Sequence, residues 1–124
     1  MKKLLIANRG EIAIRIARAA RDYGVASVAI YSDADAGSLY AELADEAWGL
    51  GPGRPADTYL DIGNILDVAR RAGADAVHPG YGFLSERAEF AQAVIDAGLI
   101  WIGLFPEVIS ALGDTVQARR IAEK

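Results

Sequence analysis

The residues best suited to chemistry lie in one continuous stretch, residues 78–86, which reads HPGYGFLSE. An apolar run ends just before it and an amphipathic helical pattern over residues 86–97 follows it, so we predict a strand-to-helix turn. Because two glycines flank one tyrosine, the backbone can bend sharply and present N–H groups to an anion or a nucleotide. We expect Ser85 to be the N-cap of the next helix and Glu86 to add negative charge to its first turn. Glycine-rich turns also occur in α/β folds that bind nothing there, so the stretch alone leaves both interpretations open.

The other reactive side chains do not form a recognisable catalytic set. His78 is a candidate general base, but it precedes a proline at a strand end, and we interpret it as a packed, hydrogen-bonded structural residue. Arg9 can hold an anion or pair with a nearby acid, and we favour the pairing. The sequence has one histidine and no cysteine, which leaves little material for a metal site. We therefore assign no catalytic and no metal-binding residue to this chain.

The composition is that of one folded domain. The chain has 124 residues, of which 52% are apolar, enough for a real core. Its net charge of −4 comes without a basic patch, which argues against nucleic acid as a partner. The apolar start at residues 4–7 is too short to span a membrane. With no cysteine and no signal peptide recognised, we expect a cytoplasmic location.

Strands and helices alternate along the chain. Apolar runs predict strands at residues 3–7, 27–31, 47–50, 75–77 and 99–102, and helical patterns lie between them. Short joints between these elements imply an α/β fold, a Rossmann-like, doubly wound parallel sheet in three layers. In such a sheet the carboxyl ends of the strands form a crevice. We expect that edge to gather residues 8–10, 32–33, 78–82 and 103.

The first turn lacks the glycines of the common nucleotide folds. Residues 8–13 read NRGEIA, with a single glycine, so the G-x-G-x-x-G fingerprint is missing, and no P-loop is present. A small Rossmann-like nucleotide binder stays an alternative, since Asp33 lies near the place of a ribose-binding acid. The last helical pattern, from Asp114, reaches Lys124 without a stop signal. We therefore expect residues 1–124 to be one domain of a longer protein.

Two long motifs resemble the N-terminal region of biotin carboxylases. They are residues 6–13, IANRGEIA, and residues 78–86, and the shorter segments 32–35, 44–47 and 112–114 match as well. The resemblance covers essentially the whole chain and is greatest for bacterial acyl-CoA carboxylase α chains, enzymes of fatty acid metabolism. It implies a pre-ATP-grasp domain, the first domain of an ATP-grasp ligase.

The resemblance also implies an activity for the full-length enzyme. That enzyme uses Mg-ATP to activate bicarbonate and then carboxylates biotin on a carrier protein, the first half-reaction of an acyl-CoA carboxylase. The implied partners are the remaining ATP-grasp domains, the biotin carboxyl carrier domain and the carboxyltransferase. Most catalytic residues belong to later domains, so we expect the isolated chain to be inactive and to hold no cofactor tightly. The choice of acyl-CoA belongs to the carboxyltransferase.

The resemblance assigns residues to two sites. It places Tyr81 and Gly82 beside the biotin and bicarbonate pocket, with Glu86 close by. It also places the charged row Arg15, Arg18 and Asp22, on the outer face of the first helix, at the interface of a homodimer.

The chain departs from the family pattern at Thr115 and Tyr40, and the first departure bears on ATP. Thr115 stands where the family usually has a lysine that helps to bind ATP, and Tyr40 replaces a common histidine. Threonine has no charge for a phosphate, so we expect impaired ATP binding. A second hypothesis follows, in which the domain is a structural or dimerisation module that has lost its ligand.

Overall fold

Five parallel strands form one sheet in the computed structural model, which describes residues 1–53, 58–80 and 83–103. The strand order is β3-β2-β1-β4-β5, and every neighbouring pair is parallel. The order reverses between β1 and β4, which confirms the predicted doubly wound sheet. The strands are β1 (Lys3–Ile6), β2 (Ala26–Ser32), β3 (Glu46–Gly51), β4 (Ala76–His78) and β5 (Ile100–Trp101).

Helices cover both faces of the sheet and complete the three predicted layers. The helices are α1 (Gly10–Asp22), α2 (Leu39–Leu43), α3 (Ile62–Ala72) and α4 (Ala88–Asp96). The buried side chains of α1 and α2 form one core cluster, and those of α3 and α4 form another. None of the helices in the described ranges is long and apolar enough to cross a membrane.

Strand β1 lies at the centre of the sheet because its residues can be buried on both faces. Leu4 and Ile6 pack into the α1 cluster, whereas Leu5 packs into the α3–α4 cluster. Each of these three side chains is at most 4% exposed, as expected for a parallel strand covered by helices on both sides.

Helix α4 begins later than the sequence pattern predicts. Its N-cap is Arg87, while Ser85 and Glu86 belong to a separate 3₁₀ helix, Phe83–Glu86. The reason is that Leu84 is buried, and the Arg87 N–H closes this turn on the Leu84 carbonyl at 3.1 Å. The predicted N-cap role of Ser85 and first-turn role of Glu86 are therefore wrong, and Glu89 is the first-turn acid. The helices predicted from Pro106 and Asp114 lie outside the described residues.

Helix α3 has a side-chain cap that offers a measurable prediction. The Asp61 carboxylate accepts a hydrogen bond from the Asn64 N–H at 3.1 Å. We expect Asp61→Ala to lower the free energy of unfolding by about 1 kcal/mol and Asp61→Asn to lower it by only a few tenths, because asparagine caps equally well. Urea denaturation measures both, and equal losses would show that the cap contributes nothing.

Candidate functional site

Two turns lie side by side at the carboxyl edge of the sheet. Strands β1 and β4 pair with Ile6 opposite His78, and the Ala7 N–H donates to the His78 carbonyl at 2.9 Å. The Asn8–Gly10 turn after β1 is thereby placed next to the His78–Gly80 turn after β4. Since the strand order reverses here, this is the edge at which doubly wound sheets form a ligand crevice.

Asn8 joins the two turns through its side chain. It is 1% exposed, and its Nδ2 donates to the Pro79 carbonyl at 2.7 Å. Its Oδ1 accepts the Arg9 N–H at 2.8 Å, which fixes the orientation of the amide. The turn after β1 therefore holds the turn after β4 directly.

Gly80 is required where these turns meet. Its φ is +65°, in the left-handed region, where glycine carries no steric penalty. A Cβ at this position would lie 2.6 Å from Ile12 Cγ2 and 2.8 Å from Asn8 Nδ2. Both the backbone conformation and the close contact exclude a larger residue.

His78 is a structural residue in this arrangement, as the sequence interpretation held. Its Nδ1 accepts the Gly80 N–H at 3.1 Å, so the neutral ring carries its proton on Nε2. Burial lowers the pKa of His78 below its usual value, which keeps the ring neutral at neutral pH.

Arg9 is paired with an acid, as predicted. Its Nε and Nη2 donate to the two carboxylate oxygens of Asp35 at 2.8 and 2.7 Å, a bidentate ion pair. The hydrogen bond from Arg9 lowers the pKa of Asp35, and the same bond raises the pKa of Arg9. The guanidinium that follows β1 is thus committed to a carboxylate.

Two tyrosines extend this ion pair into a polar network. The Tyr59 hydroxyl donates to Asp35 Oδ2, accepts the Ser32 N–H at 3.0 Å and lies 2.6 Å from the Tyr40 hydroxyl. The Arg9 guanidinium lies 5.7 Å from the centre of the Tyr59 ring, within cation–π range. Burial raises the pKa of Tyr40, so this phenol stays protonated. The network ties the end of β1 to the segments that follow β2 and β3.

Sequence reasoning did not single out Asp35 or Tyr59. The acids at positions 33 and 35 mark a turn, but only the tertiary structure distinguishes exposed Asp33 from Asp35, whose side chain is 12% exposed. No local signal marks Tyr59, which lies 24 positions further along the chain than Asp35.

The residues predicted for the pocket fall only partly within the described ranges. Tyr81 and Gly82 lie outside them, between Gly80 and Phe83, and Thr115 lies outside them as well. Glu86 is described and is exposed at the end of its 3₁₀ helix. The structure thus places the entry to the HPGYGFLSE stretch at the crevice, through His78 and Gly80.

The outer face of α1 carries the predicted charged row beside a groove. Arg15, Arg18 and Asp22 are all exposed on this helix. The groove has a volume of about 750 Å³, and Arg15 is the one member of the row that lines it. Its apolar lining comes from α1, from β1 and from the residues that follow α1 and β5, notably Leu4, Ile12, Ile16, Tyr23, Val25 and Ile102. His78 and Gly80 of the turn after β4 also line this groove.

Comparisons with known proteins agree with this architecture. The family model for the N-terminal domain of biotin carboxylase matches residues 1–109. The biotin-dependent acyl-coenzyme A carboxylase alpha3 subunit of Mycobacterium leprae is 60% identical over 122 residues, which are 98% of this chain and 20% of that protein. The biotin carboxylase of Halalkalibacterium halodurans is 52% identical over 118 residues, which are 95% of this chain and 26% of that protein.

Solved structures give the same result. The biotin carboxylase domain of a single-chain bacterial carboxylase superposes with a TM-score of 0.89 at 50% identity, covering 99% of this chain and 29% of that one. The multifunctional pyruvate carboxylase of Rhizobium etli gives 0.89 at 44% identity, covering 98% of this chain and 13% of that one. This chain therefore spans less than a third of these relatives, and it belongs to the family of biotin carboxylase N-terminal domains.

Proposed function

We propose that this chain is the N-terminal domain of an ATP-dependent biotin carboxylase, which carboxylates biotin in the first half-reaction of an acyl-CoA carboxylase. The observation that carries the proposal is the glycine turn after β4. Asn8 holds this turn by a hydrogen bond at the crevice where the strand order reverses. In this proposal Tyr81 and Gly82, which follow that turn, line the biotin and bicarbonate pocket, and Glu86 lies near it. A cytoplasmic location is part of the proposal.

The side chains at the crevice suit the biotin side of such a site better than the phosphate side. Arg9, which could otherwise meet a phosphate, is held by Asp35. In the part of the chain that the structure describes, no three acidic or histidine side chains are grouped to hold a metal ion. Mg-ATP needs cations and metal ligands around the transferred phosphoryl group. We therefore assign Mg-ATP to the later ATP-grasp domains, and the carrier and carboxyltransferase domains act as partners.

A chimeric enzyme tests the proposal. In it, this chain replaces the matching segment of the Mycobacterium leprae alpha3 subunit, to which it is 60% identical. We expect the chimera to fix bicarbonate onto free biotin with ATP, and we expect the isolated chain to show no biotin-dependent ATP hydrolysis. A folded chimera without carboxylation would contradict the proposal, as would ATP hydrolysis by the isolated chain.

The same chimera tests the role of position 115. We propose that Thr115 weakens ATP binding, because it cannot supply the positive charge of the usual lysine. The variant Thr115→Lys should lower the KM for ATP by at least about tenfold, because a hydrogen bond to a charged group contributes roughly 1.5–3 kcal/mol and about 1.4 kcal/mol is already a factor of ten. The KM for biotin is the internal control and should not change. An unchanged KM for ATP would remove this assignment.

The outer face of α1 supports a second candidate function, dimerisation. An apolar groove beside a charged row has the layout of an interface with an apolar centre and a polar rim. We propose that Arg15, Arg18 and Asp22 form the rim between two copies of the chain.

Sedimentation tests this dimer. We expect Arg18→Glu and Tyr23→Ser each to shift the chain from dimer toward monomer, while Arg70→Glu, the same charge change on exposed α3, leaves the mass unchanged. The same mass for the wild type and all three variants would rule out this interface.

A further inference from the structure

We infer that Asn8 is a positioning residue, whose side-chain amide holds the Pro79–Gly80 peptide and thereby sets the turn that leads into Tyr81 and Gly82. The inference deepens the proposed function and rests on it, because those two residues are the proposed pocket. Asn8 does not itself touch a substrate in this scheme, and it acts through the turn.

The first step is the fixed position of Asn8 itself. Its backbone directly follows Ala7, whose N–H is bonded to the His78 carbonyl of the neighbouring strand. Its side chain is 1% exposed, and the bond from the Arg9 N–H to Oδ1 leaves Nδ2 directed at the Pro79 carbonyl. A buried amide held in this way cannot rotate without breaking hydrogen bonds that water does not replace.

The second step is the number of restraints that meet at Gly80. The carbonyl before it is held by Asn8 Nδ2, and its own N–H is held by His78 Nδ1. Its Cα packs against Ile12 so closely that no Cβ fits. Since both polar groups of the Pro79–Gly80 peptide are bonded and the Gly80 Cα is packed, the orientation of the peptide that enters Gly80 is fixed before any ligand arrives. Sites held in advance avoid the cost of ordering at the moment of binding.

The third step is the choice of asparagine. Pro79 has no N–H, so its buried carbonyl is the group by which a neighbour can hold it. Aspartate has nearly the same shape as asparagine but, when ionised, sets a carboxylate against that carbonyl. When protonated, it can donate an O–H to the same oxygen. An Asn8→Asp variant therefore loses the restraint when the new carboxyl ionises and regains it on protonation.

Amide hydrogen exchange of the full chain, followed by NMR at Gly80, tests this restraint. At neutral pH we expect exchange at Gly80 to be about tenfold faster in Asn8→Asp and Asn8→Ala than in the wild type, the factor that one lost hydrogen bond implies. As the pH is lowered into the acid range, the buried new carboxyl takes up a proton, because burial raises a carboxyl pKa, and Asn8→Asp should return toward the wild-type rate. Asn8→Ala should not recover.

Comparison with the wild type at each pH removes the contribution of the groups around Asn8 that titrate in every variant. These are His78, the Arg9–Asp35 pair and Glu11 on α1. The matched control is Asn64→Asp, since Asn64 Nδ2 also donates to a backbone carbonyl, that of Leu50, at 3.2 Å. It should leave exchange at Gly80 unchanged. If the Gly80 amide of Asn8→Asp exchanges at the wild-type rate at neutral pH, the inference is overturned.

The chimera described above tests the link to the pocket, with free biotin as the probe. We expect Asn8→Asp to raise the KM for biotin about tenfold and to leave the KM for ATP unchanged. The reason is that one hydrogen bond that orders the pocket before binding is lost, so biotin binding must supply that free energy instead. Altered exchange at Gly80 with an unchanged KM for biotin would overturn the assignment as a positioning residue. An inactive unsubstituted chimera would instead contradict the proposed function, and the exchange rates would still decide whether Asn8 holds the turn.

Discussion

Gly80→Ala is expected to destabilise the domain by about 3 kcal/mol or more. A non-glycine residue in the left-handed backbone conformation loses roughly 1–2 kcal/mol of stability, and inserting an extra carbon into a well-packed site costs roughly 1–3 kcal/mol. Both penalties act at this position, because φ is +65° and the new Cβ would lie 2.6 Å from Ile12 Cγ2 and 2.8 Å from Asn8 Nδ2. Urea denaturation of the two proteins measures the difference.

The control for this prediction is Gly24→Ala, just after α1. Gly24 has a similar φ of +73°, but a Cβ built there meets nothing within 4 Å. The free energy of unfolding of Gly24→Ala should therefore fall only by the penalty for the left-handed backbone, about 1 kcal/mol. Similar losses at the two glycines would show that the contact of Gly80 with Ile12 and Asn8 is not tight in solution.

Asp35→Asn is expected to have the second largest effect, a loss of about 2 kcal/mol in the free energy of unfolding at neutral pH. The change removes the negative charge that pairs with Arg9. It also places an NH₂ group, which is a hydrogen-bond donor, opposite Arg9 or Tyr59, which themselves donate to this side chain. Breaking a fully buried ion pair costs roughly 3–5 kcal/mol. The Arg9 side chain is 39% exposed, so solvent partly replaces the lost partner and the smaller value applies.

The matched control is Asp67→Asn, which removes the surface ion pairs of Asp67 with Arg70 and Arg71. Asp67 pairs with Arg70 on α3, and their side chains are 41% and 77% exposed. Asp67→Asn should lower the free energy of unfolding by less than about 0.5 kcal/mol, as for most exposed ion pairs. Equal effects at Asp35 and Asp67 would mean that the polar network beneath Arg9 adds no stability.

The cost of Asp35→Asn should depend on pH in a defined direction. The pKa of Asp35 is lowered in the folded protein, so its charged form stabilises the fold above the ordinary value of 3.8 and that stabilisation disappears as pH falls through the lower, folded value. The difference between wild type and variant should therefore be constant at neutral pH and shrink in acid. The pKa values of Glu46 and Asp75 are also lowered, so the variant should keep some acid sensitivity of its own. A difference that grows in acid would contradict this assignment.

The fold was predictable because it depends on patterns that are local in sequence. Apolar runs separated by helical periods, with glycines after the helices, indicate a parallel doubly wound sheet before any coordinates are seen. The pairing of Arg9 with an acid and the structural role of His78 were also predicted, from the chemistry of each residue and its place at a strand end. These predictions hold because residues at the carboxyl ends of parallel strands must share one edge of the sheet.

The start of α4 could not be predicted in the same way. Ser85 and Glu86 have the local signature of a helix start, but burial of Leu84 favours a 3₁₀ helix there and moves the N-cap to Arg87. Local capping preferences amount to about 1 kcal/mol, and burial of a leucine contributes roughly twice as much. Tertiary packing therefore decided the boundary.

The amino-acid sequence by itself determined the layered α/β architecture, the family and the position of the glycine turn at the crevice. Only the tertiary structure decided which partners hold that turn and the neighbouring ion pair. Asn8 meets Pro79 across 71 positions of the chain, and Tyr59 meets Asp35 across 24. Periodicity and capping report on neighbours a few residues apart, whereas these contacts exist only after the strands have been placed in the order β3-β2-β1-β4-β5.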